Sequence, residues 1–164
     1  MRAHVEILND IDMRVFDRMR QRLVQFSRVN VGFPGPSPAK RQRDEPDSTT
    51  ETVASIAAKH EFGSPAEHIP ERPFLRVAVR DNVPKYKGVM RAILVEVLHE
   101  TRTMENGLEY LGVVAVGDVK QKIRIGPFTP NAPATVYAKG SSRPLIDTGQ
   151  MIQSVNYEVE SNAS

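Results

Sequence analysis

The stretch KYKGVMRAILVEVLHETRTMENGLEYLGVVAVGDVKQKIR, residues 85–124, decides the class of fold. From Lys85 to Glu100 the apolar side chains Tyr86, Val89, Met90, Ile93, Leu94, Val97 and Leu98 recur at three- and four-residue intervals. That is the spacing of one face of a helix; a half-buried strand would alternate instead. From Met104 to Arg124 the same period continues through Leu108, Leu111, Ala115, Val119 and Ile123. Gly112 and Gly117 interrupt this second helix, and they predict either a close approach of a packed neighbour or a break.

Upstream, Pro70-Glu71-Arg72-Pro73-Phe74 places proline where helices begin. Phe74 to Asp81 then predicts two helical turns before Asn82 and Pro84. Thr52 through Phe62 predicts a short helix, with Val53, Ile56, Ala57 and His60 on one side and Gly63 as its stop; a strand is the alternative. Beyond Gly126 the character changes. Pro127, Pro130, Pro133, Gly140, Pro144 and Gly149 punctuate short segments, and from Ser154 to Glu160 the residues Val155, Tyr157 and Val159 alternate as in a strand. The expected fold is α+β: a helix-rich single domain with a small antiparallel sheet that uses the C-terminal strand, and with no internal repeat.

Residues 1–30 predict an N-terminal helix. Ile7, Ile11, Val15, Met19 and Leu23 recur every four positions, widened by Val5, Leu8, Phe16 and Phe26. Acidic Glu6, Asp10, Asp12 and Asp17 precede basic Arg18, Arg20, Arg22 and Arg28, the polarity a helix dipole favours. Gly32-Phe33-Pro34-Gly35-Pro36 forbids continuation. Residues 31–51 then predict a Pro- and charge-rich arm, with Phe33, Lys40, Arg41 and Arg43 as candidate assembly contacts. Four prolines, two glycines and a mixed-charge run leave it little to bury, so a neighbouring subunit is expected to order it. Residues 52–164 form the expected core.

Composition narrows the function classes. A chain of 164 residues buries ~70% of its unfolded surface and needs no covalent staples. It contains no Cys, which removes disulfides, Cys-ligated metals and a thiol nucleophile. No apolar run reaches the ~20 residues of a membrane span, and no signal-peptide core opens the sequence, so a soluble cytoplasmic product is expected. Twenty-two basic and twenty acidic side chains give +2, too even a balance for a dedicated nucleic-acid binder. Fifteen of the 22 are Arg, the residue suited to bidentate ion pairs at contact surfaces.

Three constellations could carry function. Asp147-Thr148-Gly149 matches the loop of aspartic proteases, whose paired carboxylates activate water. A single copy would require a homodimer. Gln150-Met151 follows where a small residue is usual, few residues remain downstream, and the chain upstream is helical. The competing reading is a structural turn in which Asp147 bonds nearby backbone and Gly149 takes a positive φ. Arg72, Arg76 and Arg80 at four-residue spacing predict a basic stripe on one helical face, with Lys85, Lys87 and Arg91 behind it. Between residues 70 and 91 six basic side chains face two acidic ones, so this surface could meet DNA phosphate or an acidic partner, or simply be solvated. Lys139-Gly140-Ser141-Ser142 lacks the upstream glycines of a phosphate loop. His60-Glu61 lacks the second His of a zinc helix, and His60 is expected half-buried and satisfied. No metal, cofactor or catalytic residue is expected.

Several strings taken in order resemble one family. They are Val31-Gly32-Phe33-Pro34; Ala57-Ala58-Lys59-His60-Glu61-Phe62-Gly63; Ile69-Pro70-Glu71-Arg72-Pro73-Phe74-Leu75-Arg76; Leu111-Gly112; Ala134-Thr135 through Lys139-Gly140; and Pro144-Leu145-Ile146-Asp147-Thr148-Gly149-Gln150-Met151 with Ser154. Across residues 31–159 the series resembles the tail-completion, or head–tail joining, proteins of long-tailed bacteriophages such as the lambda-like and Mu-like phages. The resemblance implies a virion structural protein without catalytic residues. It would form a ring with itself, commonly of six subunits, between the head connector and the tail tube or tail terminator, lining the DNA exit channel passively and touching no membrane. It also implies that Asp147-Thr148-Gly149 is a turn. A tail terminator that stops tube polymerisation is the nearest alternative. A dimeric aspartic protease and a nucleic-acid-binding module are the alternatives from other classes.

Overall fold

The computed structural model describes residues 26–35 and 51–161. In chain order these form strand β1 (Phe26–Gly32), helix α1 (Val53–Phe62), a 3-10 turn (Pro65–Glu67), and helices α2 (Leu75–Asp81), α3 (Val83–Leu98) and α4 (Met104–Ile125). Helices α5 (Pro133–Lys139) and α6 (Gln150–Ser154) and strand β2 (Asn156–Ser161) follow. The fold is α+β, helix-rich, with one small antiparallel sheet of β1 and β2.

Helix α4 organises the rest. Its 22 residues extend ~33 Å, at 1.5 Å per residue, and it packs on both strands, α2 and α3. The Thr103 hydroxyl caps it by accepting the Asn106 amide at 3.2 Å, and Lys122 and Arg124 sit in its last turn, where the dipole favours cations. Along its inner face Met104, Leu108, Ala115, Val119 and Ile123 are buried. Leu108 and Met104 join Ile93 and Val97 of α3 in one cluster, against Val29 and Val159 of the sheet. Val119 and Ile123 join Phe74, Ala78, Leu145 and Val155 in a second.

The two glycines that left a choice open divide. A side chain at Gly112 would collide with the Tyr157 ring of β2, so this glycine lets the sheet approach α4 closely. Gly107 is likewise crowded by Ile93 of α3. Gly117 has open space around it, and the helix passes through without a break.

The N-terminal region departs from expectation. Residues 26–30, read as the end of a helix, are strand. Val29 pairs with Val159 and Val31 with Tyr157, and Val29, Val31 and Phe33 pack toward the two clusters. Arg28 and Asn30 alternate with them, and both reach Glu160 across the sheet (Arg28 Nε at 3.1 Å, Asn30 Nδ2 at 2.5 Å). A period of two therefore governs this segment, and pairing with β2 overrides the four-residue stripe upstream. The remainder of the predicted helix, residues 1–25, lies outside the described residues. Phe33, a candidate contact to a neighbouring subunit, is half-buried and packs on its own core: its ring stands edge-on to Phe74 at 6.1 Å and 81°. Lys40, Arg41 and Arg43 lie outside the described residues.

The C-terminal strand is present, but a helical turn separates it from the Asp147 loop. Gly149 adopts φ 78° and starts α6. Within this turn the Gln150 amide donates to Thr148 Oγ1 at 3.2 Å.

Candidate functional site

The residues between α1 and α2 are built around two buried charges. Glu61 closes α1 and is 4% exposed. Its Oε2 accepts the amides of Phe74 and Leu75 at 2.8 Å each, and its Oε1 accepts the Arg76 amide at 3.0 Å. A carboxylate from one helix thus caps the first turn of the next, where unpaired N–H groups and the positive end of the dipole converge. Phe74 itself offers no side-chain cap. Gly63, at φ 76°, brings the chain back close against Ile69 and Glu71 in a backbone conformation that strains any residue with a side chain, so the connection from α1 to α2 folds tightly.

Arg72 is the second charge, also 4% exposed. Its Nε donates to the Thr129 carbonyl at 2.9 Å, and one terminal nitrogen donates to the Pro130 carbonyl (3.2 Å) and Asn131 Oδ1 (3.1 Å). The other lies 3.3 Å from His60 Nδ1. A guanidinium only donates, so His60 accepts here through Nδ1. The Arg72 amide also donates to the His60 carbonyl at 2.7 Å. Burial lowers the Arg72 pKa from its ordinary value, and the carbonyl oxygens hold the charge. Arg72 therefore ties the loop after α4 to the end of α1. It is not part of an exposed basic stripe: it precedes α2, so its backbone is not in register with Arg76 and Arg80.

The rest of that stripe is largely neutralised by neighbours. Arg76 pairs with Glu71, lies 3.6 Å from Glu61, and stacks 5.5 Å over the Phe62 ring. Arg80 bonds Asp81 at 3.2 Å; that bond, with help from Lys122, holds the Asp81 carboxyl below its ordinary value. Lys85 reaches across to Asp118 of α4 at 2.7 and 2.9 Å. Beside that pair the Tyr86 hydroxyl is buried without a hydrogen bond of good geometry. Its pKa is pushed up, first by burial and then by the Asp118 charge. Lys87 and Arg91 are exposed on α3. Asp147 is exposed on its turn, and no group of His, Asp and Glu side chains with metal-binding geometry occurs among the described residues.

Next to the Glu61 cap lies an apolar hollow of about 660 Å³ between α1 and α2. Phe33, Ala58, Phe62, Leu75, Val79 and Val83 line it, and Arg76 and Arg80 border it. A second hollow, of about 340 Å³, shares Val79 and continues beside β1, between Val29–Val31 and Tyr86, Leu111 and Ala115. Sequence reading did not find these hollows, because their small and branched residues come from five separate elements. The signal available was Ala54, Ala58, Val79 and Val83: apolar residues on the outward side of their helices.

Compared with models of protein families, with characterised proteins and with solved structures, the chain shows no significant match. No described helix is long and apolar enough to cross a membrane.

Proposed function

We propose that this chain is a structural virion subunit at the phage head–tail junction, a tail-completion or neck protein that forms a ring between the head connector and the tail tube. The observation that carries this reading is the number of large apolar side chains left in solvent on different helices. They include Phe62 of α1 (67% exposed), Val95 and Leu98 of α3, Tyr110 and Val113 of α4, and Tyr137 of α5 (93%). A subunit of a closed ring must bury two unlike lateral surfaces, and a junction protein must bury two axial ones as well. The ordered strings that resemble the tail-completion family supply the particular assembly.

The burial of Arg72 alters one part of the expectation. Arg72 is consumed inside the fold, and Arg76, Arg80 and Lys85 are paired within the chain. A surface facing the DNA channel would then draw on Lys87 and Arg91, and its weak charge suits passage rather than retention of DNA.

Electron microscopy of particles assembled without this protein tests the reading. Tails of normal length detached from full heads are the expected outcome. Overlong tails would instead indicate a terminator, and normal joined particles would overturn the proposal.

A further inference from the structure

Helix α4 turns a self-complementary face to solvent. Opposite its buried side, Tyr110, Val113 and Gly117 follow one another at three- and four-residue intervals; both side chains are exposed, and the space over Gly117 is open. Acidic Glu105 and Glu109 precede this patch, and basic Lys120 and Arg124 follow it. None of the four makes a hydrogen bond or ion pair among the described residues. We propose that this face of α4 is the contact between two copies of the chain, laid antiparallel across a two-fold axis at the level of Ala115. The inference goes beyond the head–tail reading and stands without it, since closing a ring takes head-to-tail contacts elsewhere on the chain.

Register and charge name the occupant. The pairs Glu105 with Arg124, Glu109 with Lys120, and Val113 with Gly117 are all centred on Ala115 to within a residue. Turning α4 end over end about that level therefore sets each acidic side chain opposite a basic one of the second copy, over a span of ~28 Å at 1.5 Å per residue. Glu109 and Lys120 lie on the same flank of the stripe, the flank on which helices related by such an axis meet. Val113 then seats over Gly117 of the second copy, where the missing side chain lets the backbones approach. A parallel arrangement would stack glutamates on glutamates and cations on cations, which like-charge repulsion disfavours. A face whose charges invert sign about its own centre is what an isologous contact requires; an unrelated partner requires no such symmetry. One helix face is smaller than the ~800 Å² per partner of a standard interface, so the pair is a weak, reversible one.

Sedimentation of the full-length chain over a concentration series tests the pairing. The parent should form a dimer that salt weakens. Glu109→Lys and Lys120→Glu, made singly, each place two like-charge contacts in the dimer and should raise its dissociation constant about tenfold or more. An equimolar mixture of the two variants restores both opposite-charge contacts and should pair about as tightly as the parent. That recovery also excludes a folding defect in either variant. A parent that stays monomeric up to ~0.5 mM, where even a weak contact pairs, would overturn the assignment. So would a dimer that neither substitution weakens, or a mixture that does not recover.

Discussion

The Glu61 carboxylate accepts the Phe74 amide at 2.8 Å across thirteen positions of sequence, so that the last turn of α1 terminates the first turn of α2. Phe74 is fully buried, and with its amide held it anchors the second core cluster. Replacing Glu61 with Ala leaves the Phe74 and Leu75 amides without an acceptor and should cost about 3 kcal/mol. Gln retains one acceptor oxygen and should cost about 1 kcal/mol. Urea unfolding of the two variants measures the difference, and equal stability would contradict the capping role.

Arg72→Lys should destabilise the fold by about 1–2 kcal/mol, because a single ammonium cannot reach Thr129, Pro130, Asn131 and His60 together. Arg80→Ala, on the exposed side of α2, should stay within about 0.5 kcal/mol of the parent. Thermal unfolding distinguishes them. If the two arginines prove equivalent, Arg72 is not the tie described.

Gly112→Ala should cost about 1–3 kcal/mol by driving Tyr157 away from α4. Gly117→Ala, in open space on the same helix, should gain about 1 kcal/mol from helix propensity. Opposite signs in one calorimetric series are the expected result.

Phe33→Ala should lower the stability of the isolated protein by about 2 kcal/mol, through loss of its edge contact with Phe74. A residue serving only to contact another subunit would leave isolated stability unchanged, so denaturant midpoints decide between the two.

Lys59 binds Glu51 at 2.7 Å and also pairs with Glu67. Its pKa is raised, mainly by the hydrogen bond to Glu51 and then that to Glu67, while the bond to Lys59 lowers the pKa of Glu67. The raised Lys59 gives stability that is full below its ordinary 10.5 and fades as pH rises through its folded value. The lowered Glu67 gives stability that is full above its ordinary 4.5 and fades as pH falls through its folded value. This cluster therefore supports α1 across the neutral range and loses its effect at both extremes. In an NMR titration, Glu51→Gln should bring Lys59 back toward 10.5 more than Glu67→Gln does.

The helices over residues 53–62, 75–81, 83–98 and 104–125 were legible because a burial stripe with a 3.6-residue period is a local property of the chain. The stop at Gly63 is local too, as is the alternation that marks β2. Residues 26–30 were misread because strand pairing is decided by a partner some 130 positions away, and Val29 and Val31 fit either period over so short a span. Arg72 was misread for a related reason. Sequence spacing shows where a charge would lie on a regular helix, but only the packed chain brings the carbonyls of Thr129 and Pro130 to it and makes burial tolerable. Glu61 as a cap for another helix and the two apolar hollows belong to the same class: each needs atoms from elements far apart in sequence. The sequence by itself thus determined the helical class, the four helices before Gly126 and the final strand, but not the short helices at 133–139 and 150–154. The tertiary structure decided which charges are structural, where β1 pairs and which apolar faces stay open, because those outcomes depend on long-range contacts that a periodicity does not encode.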